Sequence, residues 1–188
     1  VPASNIGIYP ISLSGGSAAN YTISLQNGNL TVTKASLIVT ANTKYINKGS
    51  SVPTLNATIT GWKNNDQNTV TCGPTFSVPV GCNQSAGVYT ISVCCLSFTK
   101  MNNYTITYQT GLLYINPKGS GAKKIRPYLD CVDTLINHPS GYPYVAKFSY
   151  QNLNATPVYI PIGSDNNISP SGISSGTPPI VFTPGNGT

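Results

Sequence analysis

The sequence carries very little charge, and almost none of it is acidic. Charged residues make up 7% of the 188 residues, there is no glutamate, and there is one histidine, His138. The four acids are Asp66, Asp130, Asp133 and Asp165. General acid–base catalysis depends mainly on histidine and on carboxylates of suitable pKa. We therefore expect no catalytic residue, no cofactor and no enzymatic activity.

Two of the acids, Asp130 and Asp133, lie close together in the strand-like segment LDCVD. Side chains alternate between the two faces of a strand, so this spacing predicts that the carboxylates point to opposite sides of a sheet. A glycosidase needs both carboxyl groups at one site, about 5–10 Å apart. Asp165, in GSDNN, is interpreted as a turn residue. The alternative is that Asp165 and Asp66 supply oxygen ligands for calcium, but the calcium loop with acids at alternate positions is absent.

Arginine is nearly absent as well. The net charge is +6, but most lysines stand alone, and the one cluster contains Lys123, Lys124 and the only arginine, Arg126. A surface that follows phosphates normally needs several converging cations, with arginine prominent among them. The sequence therefore predicts no nucleic-acid partner.

Long apolar runs are missing too. No stretch approaches the 18 or so consecutive apolar residues that a membrane helix requires, so we expect no membrane span. The chain begins at Val1 in the middle of a pattern, without an initiator methionine or a signal peptide. We interpret it as a mature or excised portion of something longer.

The cysteines do not have the spacing of a metal site, and no CxxC occurs. The five disulfide candidates are Cys72, Cys82, Cys94, Cys95 and Cys131. A hairpin in GPTFSVPVG would bring Cys72 to Cys82, and closing that loop would add about 2–3 kcal/mol. Cys94 and Cys95 are adjacent in a predicted strand and point to opposite faces, which leaves one of them to reach Cys131. Such pairs would suit an oxidising, extracellular compartment, whereas the alternative is that all five are small apolar fillers.

An internal repeat organises the sequence. Residues 5–35 match residues 86–117 with a period of about 80. The matched positions are Gly7 with Gly87, Tyr9 with Tyr89, Ile11 with Ile91, the NYTI of residues 20–23 with that of residues 103–106, Gly28 with Gly111, and Val32 with Ile115. One complete unit therefore spans residues 35–117, and residues 1–34 form the second half of another.

Every pattern inside this unit is of the β type. SLIVTA, TLNATITGW, TFSVPV, VYTISV, NYTITY and LLYIN alternate apolar and hydroxyl residues between Gly, Asn and Pro turns. They predict an all-β fold of tandem antiparallel modules, each a β-sandwich or a grasp-like sheet. The predicted inter-module junction has almost no linker and therefore predicts a stiff connection. It consists of Thr33, Lys34, Ala35, Ser36 and Leu37.

Three segments carry a family resemblance. NYTISLQNGNLTVTKASLIVTA, VPTLNATITGW and GVYTISV followed by NYTITYQTGLLYINPKG resemble the MBG-type repeats of secreted bacterial surface proteins such as those of the Bacteroidota. The resemblance covers the first two-thirds of the chain and implies serial β modules at a cell surface. Where many such repeats carry Tyr-Gly after the first strand, this sequence has KYINKG at residues 44–49, which we interpret as a lengthened turn.

The last third differs in composition. The linker PKGSGAKKIRPYLD at residues 117–130 marks a boundary, and residues 118–188 resemble a small β domain that often follows such repeats. We expect a further strand after FTPG and find that the sequence stops, so both ends are predicted to be incomplete sheets. Such open edges are normally avoided. They point either to a fragment of a longer polypeptide or to completion by neighbouring copies, which would give a filament.

The favoured hypothesis is a non-catalytic structural segment of an extracellular fibre or cell-surface adhesin, whose β modules form a stiff rod and associate with neighbouring copies. The alternative is a carbohydrate-binding module, since exposed aromatic rings stack on sugars. The candidate glycan contacts are Trp62, Tyr142 and Tyr144. Core packing is the simpler interpretation of most tyrosines, because they recur at period two.

Overall fold

The computed structural model describes residues 4–81, 84–135, 139, 141–168 and 176–188. The strands are β1 (Gly7–Ile11), β2 (Gly28–Val32), β3 (Ala35–Ala41), β4 (Lys44–Asn47), β5 (Ala57–Thr60), β6 (Val70–Cys72), β7 (Thr75–Ser77), β8 (Gly87–Cys94), β9 (Ser97–Phe98), β10 (Tyr104–Gln109), β11 (Gly111–Asn116), β12 (Arg126–Thr134), β13 (Tyr144–Asn152), β14 (Val158–Tyr159), β15 (Val181–Phe182) and β16 (Gly185–Gly187). Two short 3₁₀ helices accompany them, η1 (Asp66–Thr69) and η2 (Met101–Asn103). The prediction of an all-β fold is confirmed. In the described part of the chain, no helix has the length and apolarity needed to cross a membrane.

Close contacts group the chain into two compact units. The first contains Val1–Ala41, Asn56–Phe76 and Ser92–Thr110, and the second contains Asn42–Leu55, Ser77–Ile91 and Gly111–Thr188. The grouping follows spatial neighbours, so each unit draws on segments that are distant in sequence. The domain boundaries after residues 34 and 117 stay a prediction.

In the first unit, β3 is the central strand of a three-stranded sheet in the order β10-β3-β5. Its Leu37, Val39 and Ala41 are buried at alternate positions, as the period-two pattern predicts. β5 pairs with β3 in the antiparallel direction, whereas β10 pairs with it in parallel, from Tyr104 opposite Ala35 onward. The second unit also contains a parallel pair, β4 with β11. The modules are therefore mixed sheets and not purely antiparallel ones, because alternation of side chains does not reveal strand direction.

The internal repeat is reproduced in the pairing of strands. In the first unit, β1 and β2 form an antiparallel hairpin that places Gly7 opposite Val32 and Ile11 opposite Gly28. β8 and β11 are also antiparallel, with Gly87 opposite Ile115 and Ile91 opposite Gly111. All of these positions are partners in the sequence alignment. The two halves therefore share one register.

In the second unit, β11 lies between β4 and β8. Leu113 and Ile115 of β11 are buried there. The C-terminal segment adds a three-stranded sheet, β12-β13-β16, and a short pair, β14-β15.

Two local expectations differ from the structure. KYINKG does not form a lengthened turn, since Lys44–Asn47 is strand β4 and the turn follows it, with Gly49 at φ +84°. β4 forms because β11 offers it a parallel partner. A strand also begins at the glycine of FTPG: Gly185–Gly187 pairs with the end of β13 as β16. Gly187 suits this position because a Cβ there would overlap the Tyr150 ring.

Candidate functional site: module joints

The predicted inter-module junction lies in the first unit and is as short as expected. β2 ends at Val32 and β3 begins at Ala35, so only Thr33 and Lys34 connect them. Leu37 is completely buried. The carbonyl oxygen of Ser36 packs against Gly61, where φ is +102° and any Cβ would collide with that oxygen. The end of the junction, Ser36 and Leu37, is therefore closely packed within the sheet that contains β3.

Asparagine side chains hold the β1–β2 hairpin to η2 across this joint. The Asn103 Oδ1 accepts a hydrogen bond from the Ile6 backbone N–H (3.0 Å), and the Asn103 amide nitrogen donates to Asn5 Oδ1 (3.1 Å). Lys100 Nζ also reaches Asn5 Oδ1, at 3.4 Å. We call Asn5, Ile6, Lys100 and Asn103 the N-terminal bracket. Sequence analysis does not single out these residues, because asparagine is equally common in ordinary turns.

A second repeated detail lies next to this bracket. The Tyr9 hydroxyl donates to the Asn5 carbonyl oxygen at 2.8 Å, and the Tyr89 hydroxyl donates to the Ser85 carbonyl oxygen at 2.9 Å. Tyr9 and Tyr89 are equivalent in the internal repeat, and each bonds to the residue four positions before it. The same side chain therefore fixes the entry into β1 and into β8.

Trp62 belongs to an aromatic cluster in the first unit. Its ring is half-buried and meets Phe98 edge-on at 4.9 Å and Tyr104 edge-on at 6.0 Å between centroids. Edge-to-face pairs of this kind stabilise a core. Trp62, the first candidate glycan contact, therefore packs against neighbouring aromatic rings.

Tyr104 connects this cluster to a buried acid. Its hydroxyl donates to Asp66 Oδ2 at 2.8 Å and accepts from the Lys63 N–H at 3.0 Å. Burial raises the pKa of Tyr104, and the hydrogen bond to the Asp66 carboxylate raises it further. Asp66 is the first residue of η1, and its buried carboxylate serves as a hydrogen-bond acceptor.

A second joint lies in the second unit, between β11 and β14. The Asn116 amide nitrogen donates to the Tyr159 carbonyl oxygen at 2.8 Å, and Asn116 Oδ1 accepts from the Tyr159 N–H at 2.8 Å. The Tyr159 ring stacks on Tyr45 and lies against Tyr114, with both centroid distances 5.1 Å. We call Asn116, Tyr45, Tyr114 and Tyr159 the C-terminal joint.

Two more buried asparagines organise the end of the chain. Asn152 donates to the carbonyl oxygens of Thr156 (3.1 Å) and Phe182 (2.8 Å), and its Oδ1 accepts from Asn154. Asn154 in turn exchanges hydrogen bonds with the Lys123 backbone, both at 2.7 Å. Side-chain amides thus satisfy backbone groups where short strands leave them unpaired.

Asp130 and Asp133 do not obey simple alternation. The register of β12 against β13 shifts between Leu129 and Cys131, which makes Asp130 the extra residue of a β-bulge. Asp130 accepts from Ser149 (2.7 Å), and Asp133 pairs with Lys147 (2.8 Å). Ser149 and Lys147 are two apart on one strand and share a face. The bulge therefore brings both carboxylates to the same face, against the prediction of opposite faces, and each is already engaged by a β13 side chain.

The remaining candidate glycan contacts lie in the second unit. Tyr144 begins β13 with an exposed ring, and it shares its face with the exposed Phe148. Tyr142 is half-buried and precedes that strand. Whether any of these rings binds a sugar stays a prediction.

The cysteine arrangement differs from the expected pairs. A disulfide joins Cys94 to Cys95, and Cys131 is an exposed free thiol. Cys94 ends β8, and Cys95 has a left-handed φ of +68°, so the chain turns and the two side chains no longer alternate. Thr75 Oγ1 lies 3.1 Å from Cys94 Sγ. Cys72 is also free and exposed, while its proposed partner Cys82 and the lone His138 lie outside the described residues.

Comparison with known proteins bears on the repeats. No significant match exists among curated proteins or among solved structures. The family model described as MBG domain (YGX type) matches residues 1–31 and 37–114, which cover the β1–β2 half and the complete unit. MBG domains are repeat domains of surface proteins. Since the two matched segments make up more than half of the 188 residues, this chain belongs to the MBG family.

Proposed function

We propose that this chain is a non-catalytic structural segment of an extracellular fibre or cell-surface adhesin, in which β modules follow one another to hold distance and carry load. The main support is the N-terminal bracket. A connection of two residues and three side-chain hydrogen bonds join the hairpin of one repeat to η2 of the next. A short connection with fixed contacts transmits force, whereas a flexible linker would extend first.

The low content of charged residues fits this role. Only 7% of the residues are charged, and the one ion pair among the described residues, Lys147 with Asp133, lies on the surface. Exposed pairs contribute about 0–1 kcal/mol. Apart from Lys100, the joints are made of amides, backbone groups and aromatic rings, so we expect their strength to depend little on ionic strength.

Single-molecule stretching of the chain from both ends tests the proposal. We expect discrete unfolding events, and we expect Asn103→Ala to lower the force of the event that releases the β1–β2 hairpin. Asn102→Ala is the matched control, because Asn102 is an exposed neighbour whose side chain makes no hydrogen bond to another described residue. Smooth extension without discrete events would refute the load-bearing role. Equal unfolding forces for Asn103→Ala and Asn102→Ala would show that the N-terminal bracket does not carry the load.

A further inference from the structure

Three cysteines lie in the first unit, and they comprise one disulfide and one free thiol. Cys94 and Cys95 are bonded to each other, and Cys72 is free. All three residues are exposed. A thiolate and a disulfide within reach of each other are sufficient for thiol–disulfide exchange, which needs neither an added oxidant nor an added reductant.

Two contacts hold Cys72 close to this disulfide. β6 pairs with β9, and the register places Cys72 opposite Ser97, which is two residues from Cys95. Opposite residues of an antiparallel pair lie about 5 Å apart and two residue steps span at most about 7 Å, so the Cα atoms of Cys72 and Cys95 are within about 12 Å. Three residues after Cys72, Thr75 Oγ1 contacts Cys94 Sγ at 3.1 Å. The free thiol is thus flanked by one contact near each half of the disulfide.

β6 can supply the remaining approach, since a disulfide needs Cα atoms no more than about 7 Å apart. It is three residues long, all of them exposed, and within the described residues it pairs only with the two-residue β9. A strand with so few buried contacts opens at a low free energy. The disulfide is better anchored, because the adjacent Leu96 is 1% exposed and its N–H donates to the Tyr108 hydroxyl at 3.1 Å.

Thr75 distinguishes the two sulfurs of the disulfide. A disulfide sulfur carries no proton, so the Thr75 hydroxyl is the donor at the 3.1 Å contact and Cys94 Sγ is the acceptor. A donor at this position stabilises the negative charge that develops on Cys94 when the S–S bond breaks, and a stabilised thiolate is the better leaving group. Cys94 is therefore the leaving sulfur, and Cys95 is the sulfur that is attacked.

We propose that Cys72, Cys94 and Cys95 form an intramolecular thiol–disulfide exchange site. The Cys72 thiol gives its proton to solvent, and the thiolate attacks Cys95 Sγ. The Cys72–Cys95 bond forms as the Cys94–Cys95 bond breaks, and Cys94 leaves as a thiolate that takes up a proton. One disulfide and one thiol are present before and after, so nothing is oxidised or reduced overall. Opening the original bond also lets Cys95 leave its left-handed φ of +68°, which residues other than glycine rarely adopt.

The exchange goes beyond the proposed function and does not depend on it. The product bond closes a loop between Cys72 and Cys95, so tension on the chain cannot extend the segment inside the loop. The loop spans 23 residue steps. At about 3.3–3.6 Å per step, unfolding of the exchanged form releases about 80 Å less chain. The two disulfide isomers therefore differ in how far the same segment stretches.

Peptide mapping of the full chain tests the proposal. The protein is held at about pH 7 or about pH 9 without oxygen or added thiol, then acidified, alkylated and digested with chymotrypsin, and the attacking thiolate is more abundant at the higher pH. Cleavage after Phe76 and Tyr89 separates Cys72 from the other two cysteines. We expect a Cys72–Cys95 link to accumulate faster at the higher pH, at a rate independent of protein concentration and with an unchanged number of free thiols.

Three results would overturn the proposal. The first is a Cys94–Cys95 bond that persists alone at the higher pH while Cys72 stays open to alkylation. The second is a link from Cys72 to Cys82 in place of Cys95. The third is a rate that rises with protein concentration, because the exchange would then occur between molecules.

Variants identify the attacking thiol and the leaving group. Cys72→Ser should abolish the new link, whereas Cys131→Ser, which removes another exposed free thiol, should leave its rate within about twofold. Thr75→Val should slow the exchange by about fivefold or more, because the leaving thiolate loses its donor. Ser77→Ala is the control, since it removes a hydroxyl from the same strand, β7, that bonds to neither cysteine. Equal rates for Thr75→Val and Ser77→Ala would overturn the assignment of Cys94 as the leaving group. Failure of these tests leaves the stretching experiment on the N-terminal bracket unaffected.

Discussion

The side chain of Asn116 pairs with the backbone of Tyr159 as another strand would, donating to its carbonyl oxygen and accepting from its N–H, both at 2.8 Å. Asn116 itself is buried at the end of β11. One amide thus extends the sheet to a segment that is distant in sequence. The Tyr159 ring also stacks on Tyr45 and lies tilted against Tyr114.

Asn116→Ala should lower the free energy of unfolding of this region by about 2 kcal/mol, because two partly buried backbone groups lose their partners. Urea titration together with hydrogen exchange at the Tyr159 amide measures the effect. Asn47→Ala is the control: Asn47 lies opposite Asn116 in the β4–β11 register, and its side chain is exposed. Its effect should stay within about 0.5 kcal/mol. Equal losses for both would contradict the role assigned to Asn116.

The hydroxyl of Tyr104 gives a prediction about pH. Because burial and the Asp66 hydrogen bond raise its folded-state pKa above 10.0, the folded state holds this proton more tightly than the unfolded state. The resulting stabilisation is complete below pH 10.0 and is lost as the pH rises toward the folded-state pKa. Tyr104→Phe should lower stability at pH 7, since buried Asp66 loses a hydrogen bond, and should reduce the decline above pH 10. Denaturation midpoints of the original protein and of Tyr104→Phe, measured from pH 7 to above pH 10, test this prediction. Parallel curves for the two proteins would argue against a perturbed Tyr104.

Gly61→Ala tests the packing of the inter-module junction. The new Cβ would collide with the Ser36 carbonyl oxygen at a φ of +102°, so we expect a loss of more than about 1 kcal/mol. Gly73→Ala introduces the same methyl group where no atom lies within 4 Å and φ is not in the left-handed region. Thermal unfolding of both variants gives the comparison. A Gly61→Ala protein as stable as the Gly73→Ala protein would show that β3 and residue 61 are not in close contact.

The adjacent disulfide predicts a specific peptide map. Digestion without reduction should give a peptide in which Cys94 and Cys95 are bonded to each other, because the left-handed turn at Cys95 brings both sulfurs to one side. Cys131 and Cys72 should react with an alkylating reagent before reduction, since both are exposed. Recovery of Cys94 or Cys95 linked to Cys131 would support the pairing expected from the sequence and contradict this one.

The repeat could be predicted from the sequence, because the two halves keep similar residues at matching positions. The alignment of Gly7 with Gly87 and of Val32 with Ile115 predicts that the halves are equivalent, and the structure pairs Gly7 with Val32 and Gly87 with Ile115. Strand direction could not be predicted in this way. β3 with β10 and β4 with β11 are parallel, and alternation is the same in parallel and antiparallel pairs.

The residues that form the two joints could not be predicted from the sequence. Asn103 and Asn116 belong to a residue type that is abundant here and that favours turns, so nothing in the sequence separates a bridging amide from an ordinary one. The bulge at Asp130 and the left-handed turn at Cys95 are single-residue departures from strand geometry. Each departure changes the face on which a side chain was expected. The residue type at neither position indicates such a departure.

The parallel pairing of β3 with β10 also determines when a repeat becomes able to fold. Ala35 meets Tyr104, a partner about 70 residues later in the chain. Contacts between residues so distant in sequence form slowly. We therefore expect the β3–β10 pair to be a late step in the folding of the repeat, after the more local pairing of β3 with β5.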